Sequence, residues 1–166
     1  MMTRPLNKMS RIAAKTANLP QGLRSFILTK LFGRIVPFLS TTSVQFEEVS
    51  AARLVVSIKN RRKVQNHIKG VHAAAMALLA ETSTGFVMAM NVPDDKLLLL
   101  KSMHVDYQKR SQGNMRAVAT LSAEQIELLH STEKGNFAVN VEVSDESDEA
   151  PIQCEMVWAW LPKKRD

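Results

Sequence analysis

The sequence predicts an α+β domain in which an antiparallel six-stranded sheet wraps round one long central helix, with an extra helix at the N-terminal end. Three observations carry that prediction. Six short runs alternate apolar and polar residues with a period of two, as strands with one buried face do. One stretch, Val71 to Met90, is rich in Ala, Leu and Met and has apolar residues on every side of its first half, the pattern of a helix surrounded by protein. The elements run helix, two strands, long helix, four strands, so only the helix after the second strand is long enough to cover the apolar face of the sheet.

Between Leu19 and Leu39, Leu23, Phe26, Ile27, Leu31 and Ile35 recur at helical spacing while Arg24, Lys30 and Arg34 lie mostly off that stripe. This first helix is expected to end near Pro37. Val44 and Phe46, then Leu54, Val56 and Ile58, mark two strands. A polar, basic loop from Asn60 to Lys69 leads into the central helix, which meets no Pro or Gly before Gly85. After the turn Asn91-Val92-Pro93-Asp94-Asp95 the alternation returns. Met103, Val105 and Tyr107 form one run, and Met115, Ala117, Ala119 and Leu121 a second. Phe137, Val139, Val141 and Val143 make a third, and Ile152, Cys154, Met156, Trp158 and Trp160 a fourth. Their connections are Ser111-Gln112-Gly113-Asn114, a short helical piece around Ala123 to His130, and the acidic loop from Ser144 to Glu149, all suited to antiparallel neighbours.

At 166 residues and 45% hydrophobic, the chain is long enough for one domain with a real core and leaves little room for another. We divide it into a basic arm with its amphipathic helix, residues 1–40, and the sheet-and-helix domain, residues 41–166. The formal charge of +6 is unevenly spread. The first 46 residues hold seven basic residues and no acid, so the remainder is close to neutral. With no basic stripe interleaved with aromatics, nucleic acid is not an expected partner. The arm reads as a transit peptide, a membrane-surface helix, or an extra helix laid on the domain. The last is favoured, because Phe26, Leu31, Phe32 and Phe38 would supply core or interface surface, and membrane contact through the arm is not expected. No stretch approaches the ~20 apolar residues needed to span a bilayer. The single cysteine, Cys154, rules out an internal disulfide framework and points to a reducing, cytoplasmic setting.

Glu81 stands out on chemistry alone. Between Lys69 and Asp94 it is the only formally charged residue, and it falls in the middle of the helix expected to be buried. An ionised carboxylate in apolar surroundings costs several kcal/mol unless it is paired or protonated. Glu81 is therefore paired with a base from a facing element, shifted in its proton affinity, or open onto a cleft.

The stretch entering that helix reads Asn66-His67-Ile68-Lys69-Gly70-Val71-His72-Ala73-Ala74, with Glu81 nine residues after His72. It resembles hotdog-fold thioesterases of the phenylacetyl-CoA thioesterase type, where an Asn-containing loop leads into His-Gly-Gly at the helix start and an acid follows nine residues after the His. The resemblance covers roughly residues 42–162, and a bacterial hotdog family of unknown function resembles the chain more closely still, N-terminal arm included. It implies an acyl-CoA or other acyl-thioester hydrolase. Glu81 would attack the thioester or activate water, and the Ala73 amide at the helix N-terminus would stabilise the oxyanion. His72 would orient or catalyse and Asn66 would position water or the carbonyl, with His67, Gly70 and Ala74 beside the substrate. No metal or other cofactor is needed. The family also implies a homodimer or homotetramer with the site shared between subunits, and Trp158 and Trp160 suit an interface as well as an interior. One departure is plain: both glycines of the signature are alanines, whose methyl groups narrow the approach to the amides.

Two other readings remain open. His67 lies fourteen residues before Glu81, the spacing of the His and acid in hotdog dehydratases acting on hydroxyacyl thioesters, although the Gly-His-Phe-Pro context of those enzymes is Asn-His-Ile-Lys here. A non-catalytic acyl-thioester binding protein is the third reading, supported by the lost glycines. For the phosphates of coenzyme A the candidates are Lys59, Arg61, Arg62 and Lys63, with Lys109 and Arg110 further on.

Overall fold

The computed structural model of the chain describes residues 7–164; Arg4, counted in the basic arm above, lies outside them. Three helices come first: α1 (Lys8–Ala14), α2 (Gln21–Ile35) and α3 (Pro37–Thr42). Strands β1 (Gln45–Val49) and β2 (Arg53–Ile58) follow, then a 3₁₀ turn at Arg62–Val64 and the central helix α4 (Ala73–Ala89). The remainder is β3 (Lys96–Tyr107), β4 (Met115–Thr120), α5 (Ala123–Ser131), β5 (Gly135–Asp145) and β6 (Ile152–Pro162). The six strands form one sheet in the order β1-β2-β4-β5-β6-β3, and every neighbouring pair is antiparallel. Its concave face holds α4, as the order of elements predicted.

Three local readings need correction. The first helix ends at Ile35, close to Pro37 as expected, but the apolar stripe beyond it to Leu39 belongs to a separate short helix that begins at Pro37 itself. Pro37 disfavours helical backbone at Val36, which is extended at φ −121°, ψ 89°, and then occupies the first turn of α3 where its missing N–H costs nothing. Strand β3 also takes in the run Leu97 to Leu100, which lacks the alternation that would announce a strand, and a bulge between Leu100 and Ser102 resets its faces. Finally, α4 is most deeply enclosed in its second half. Thr82 through Met88 are all buried, whereas Ala73 and Ala74 are exposed and Ala77, Leu78 and Glu81 are half-buried. Thr84 and Ser83 are tolerated there because their hydroxyls donate back to the Ala80 carbonyl, at 2.9 and 3.0 Å.

The arm is tied into the core. Phe32 of α2, Phe46 of β1 and Phe86 of α4 meet with ring centroids 4.8 Å apart in each pair, and Phe32 is fully buried. The Asn7 side-chain amide donates to the Ala89 and Val92 carbonyls at the end of α4, at 2.7 and 2.6 Å. Helix α2 also covers the outer edge of β1. Ser25 Oγ and Arg24 Nη2 donate to the Phe46 and Val49 carbonyls, and Thr29 Oγ1 accepts from the Phe46 N–H. The sheet's other edge, β3, has no such cover among the described residues, and Leu97, Leu99, Met103 and Tyr107 along it are exposed.

Candidate functional site

The loop before α4 is shaped by Asn66. Its Oδ1 accepts from the N–H groups of Ile68 and Gly70, at 3.1 and 3.0 Å, while its backbone N–H donates to the Gly70 carbonyl. This turn needs Lys69 in the left-handed region, φ 62°. The His72 N–H then donates to the Val64 carbonyl, and Ser111 Oγ accepts from the Val71 N–H. His72 is the N-cap: its Nδ1 accepts from the Ala74 N–H at 3.1 Å, so the neutral ring carries its proton on Nε2. The Ala74 amide is thereby used up, while the Ala73 N–H makes no hydrogen bond among the described residues. It stands at the positive end of a 17-residue helix, ready to meet an anion or a polarised carbonyl. We expect Asn66→Ala to lower stability by about 1–2 kcal/mol, because two loop amides lose their acceptor, a loss that urea unfolding would measure.

A cavity of about 460 Å³ opens at this helix end, lined among others by Asn66, Gly70, Ala73, Tyr107, Lys109 and Ser111. Tyr107 reaches across from the end of β3 and donates its hydroxyl to the Ala73 carbonyl at 3.0 Å. Burial, with a smaller contribution from nearby Cys154, holds the Tyr107 phenol above its ordinary range, so the hydroxyl keeps its proton. Lys69, Lys109 and Arg110 bring positive charge to the rim, although Lys109 is also paired with Glu149.

Glu81 lies two turns further along α4, about 12 Å from Ala73 at 1.5 Å per residue. It borders a second, smaller cavity of about 180 Å³, whose lining is otherwise almost wholly apolar. No basic side chain forms an ion pair with it among the described residues. Burial pushes its carboxyl above the ordinary glutamate value, and the Thr82 hydroxyl stands near enough to oppose that shift in part without making a well-formed hydrogen bond. Of the three fates open to a charge in the middle of this helix, Glu81 thus takes two: it is shifted, and it faces a cleft.

The structure gathers Asn66, Gly70 and Ala73 at one cavity and sets Glu81 on another, so a single chain does not bring carboxylate and amide together. His67 is exposed and borders neither cavity, which leaves it unpaired with Glu81 within the chain. Ala74 is exposed with its amide engaged. Arg61 lies instead in a groove with Lys30 between α2 and β1, Lys59 borders the far end of β2, and the exposed Arg62 and Lys63 line none of these cavities. The basic residues beside the helix N-terminus are Lys69, Lys109 and Arg110. Sequence reading misses Tyr107 and Ser111 as site residues, because nothing local marks a residue that reaches its partner across 34 or 40 positions of chain. Among the described residues no three His, Cys, Asp or Glu side chains are placed to hold a metal ion, and no helix is long and apolar enough to cross a membrane.

Comparison with known proteins agrees with this architecture. A Pseudomonas aeruginosa protein of unknown function, described as a "Probable Thioesterase", superposes with a TM-score of 0.74 at 20% identity, over 87% of this chain and 97% of that one. A structural-genomics target gives 0.73 at 24% identity, over 93% and 99%. A thioesterase family protein from Silicibacter pomeroyi gives 0.66 at 9% identity, over 81% and 96%. At such identities the likeness establishes the fold, which is the hotdog fold expected from the motif. No curated protein matches the chain. Residues 24–161 match the family described as "Domain of unknown function (DUF4442)", a span that starts inside α2 and runs through β6. The chain is therefore a hotdog-fold member of that family.

Proposed function

We propose that this protein hydrolyses acyl thioesters as a homodimer, with the carboxylate of one copy and the helix N-terminus of the other forming each site. The observation that carries the reading is Glu81, a half-buried carboxylate with no ion-pair partner among the described residues, facing a cleft from the central helix. Its raised proton affinity makes it a stronger base than an exposed glutamate. In the reaction Glu81 takes a proton from water as the water oxygen bonds to the thioester carbon. The Ala73 N–H of the facing copy meets the oxygen that becomes negative. The carbon–sulfur bond then breaks, and the proton passes from Glu81 to the departing thiolate. The products are a carboxylic acid and a free thiol. Lys69, Lys109 and Arg110 are the residues we assign to the phosphates of coenzyme A. The lone, half-buried Cys154, its thiol pushed up to about 11 by burial, suits a reducing compartment, and we place the protein in the cytoplasm.

The bare β3 edge supports the dimer. Along its twelve residues β3 is paired with β6 on one side only, and its open outer edge, with exposed leucines and methionine, forms a template for a second copy; an antiparallel β3–β3 joint lays two central helices side by side in opposite directions. We expect Leu99→Lys, which leaves the interior untouched, to convert the dimer to monomer in light scattering and to remove most of the activity with it.

The reading is tested by free-thiol release from an acyl-CoA panel running from acetyl through aromatic to long-chain. Turnover of any member supports hydrolysis. Conversion of enoyl or hydroxyacyl thioesters without thiol release would replace it with hydration or dehydration, and tight binding without either reaction would make the protein an acyl-thioester carrier.

A further inference from the structure

The cavity beside Glu81 has an unusual origin: one wall comes from the N-terminal arm. Met9 of α1, Val36 between α2 and α3, and Leu39 of α3 close it on one side, and Phe86 and Trp158 close it on the other. Space exists because α4 presents small residues, Gly85 and Ala89, where it passes the cavity. A Cβ on Gly85 would lie 2.7 Å from the Trp158 ring, so the indole rests directly on the helix backbone. It is also locked in place, since its Nε1–H donates to Thr84 Oγ1 at 2.9 Å. The hydroxyl of Thr82, buried and without a hydrogen-bond partner, stands at the same cavity next to Glu81. One end of the space is therefore polar and the rest is apolar.

We infer that this cavity receives the acyl tail of the substrate and that the arm, through Val36, sets the chain length accepted. The inference deepens the thioester reading and rests on it. A tail inside the cavity holds its carbonyl end at the Glu81 and Thr82 rim and its methyl end against Met9, Val36 and Trp158. At roughly 30 Å³ per water-sized or methylene-sized group, about 180 Å³ holds about six such groups. The fitting substrates are thioesters of straight-chain acids of about six to eight carbons. Each methylene gained or lost in such a pocket changes kcat/KM by roughly tenfold or more.

The test uses the full chain and two substitutions at Val36, whose side chain is partly exposed at the helix junction and makes no polar contact. Val36→Phe fills the cavity and is expected to lower the ratio of kcat/KM for octanoyl-CoA to that for acetyl-CoA at least tenfold. Val36→Ala is expected to move the optimum toward longer chains. Binding is read separately from turnover by titrating free coenzyme A and its octyl thioether, which cannot be hydrolysed, and following the two indole N–H resonances. The thioether should shift the Trp158 signal, coenzyme A should not, and Val36→Phe should remove the difference. If no thioester is hydrolysed but the octyl group still moves Trp158, the catalytic reading fails and the acyl pocket stands. If hydrolysis proceeds while chain-length preference ignores both substitutions and Trp158 ignores the octyl group, the pocket assignment is overturned and the hydrolase survives it.

Discussion

On the proposed reading, Glu81→Gln is expected to lower kcat for thioester hydrolysis by about 10²–10⁴-fold and to leave the protein at least as stable at pH 7 as the wild type. The first part follows from the role proposed for the carboxylate, since the amide is nearly the same shape but cannot accept the proton of water. The second follows from burial. Ionised Glu81 is held in a half-buried, apolar position with no ion-pair partner among the described residues, and the amide of the variant carries no charge to desolvate. The sign with pH can be worked out. Below the ordinary value of 4.5 the group is protonated in both folded and unfolded chains and contributes nothing. As pH rises from there through the raised folded value, the unfolded chain has released a proton that the folded one still holds, so wild-type stability falls across that window. The variant lacks this loss. Its advantage in midpoint temperature should therefore vanish as the pH falls below 4.5 and grow as the pH rises above it, and the acid limb of kcat/KM in the wild type should lie above 4.5. A variant that is inactive and also less stable at pH 7 would identify Glu81 as a structural group instead.

Phe32→Ala should be the most destabilising single change in the arm, by about 3–5 kcal/mol. Phe32 is fully buried between Phe46 and Phe86, and neither ring can move into the space because each is fixed by its own strand or helix. Against a total of about 5–15 kcal/mol for a domain, that loss would lower the midpoint temperature by about 10 °C or more. Phe26→Ala is the control. Phe26 lies on the same helix, 61% exposed, and its loss should cost no more than about 0.5 kcal/mol. Thermal unfolding of the two variants side by side measures whether α2 is part of the core; equal, small effects would show that the arm is an appendage.

Much of the architecture is legible because it rests on period. The alternation in β4, β5 and β6 is that of strands with one face on the core, and it locates them closely, while β2 is buried on both faces at Leu54 to Val56. Where the period fails, so does the reading: Leu97 to Leu100 is continuous leucine and does not announce the start of β3, and no stripe marks α1. The site divides in the same way. Glu81 can be picked out as the one charge in a helix expected to be buried, whereas Asn66, His72 and Ala73 are candidates through the resemblance to hotdog thioesterases. The cap formed by His72, the loop held by Asn66 and the lack of an ion-pair partner for Glu81 among the described residues need the coordinates, because each depends on a contact or its absence.

By itself the sequence determined the class of fold, the helix at its centre and the single charge placed in that helix, since composition and period act locally along the chain. Only the tertiary structure decided which cavity each group faces. Tyr107 at the end of β3 and Ser111 in the loop after it join the helix N-terminus, Met9, Val36 and Leu39 are brought to Glu81 by the arm, and among the described residues one edge of the sheet is covered while the other is bare. The physical reason is common to all three: these contacts join residues tens of positions apart, and what selects them is the packing of whole elements.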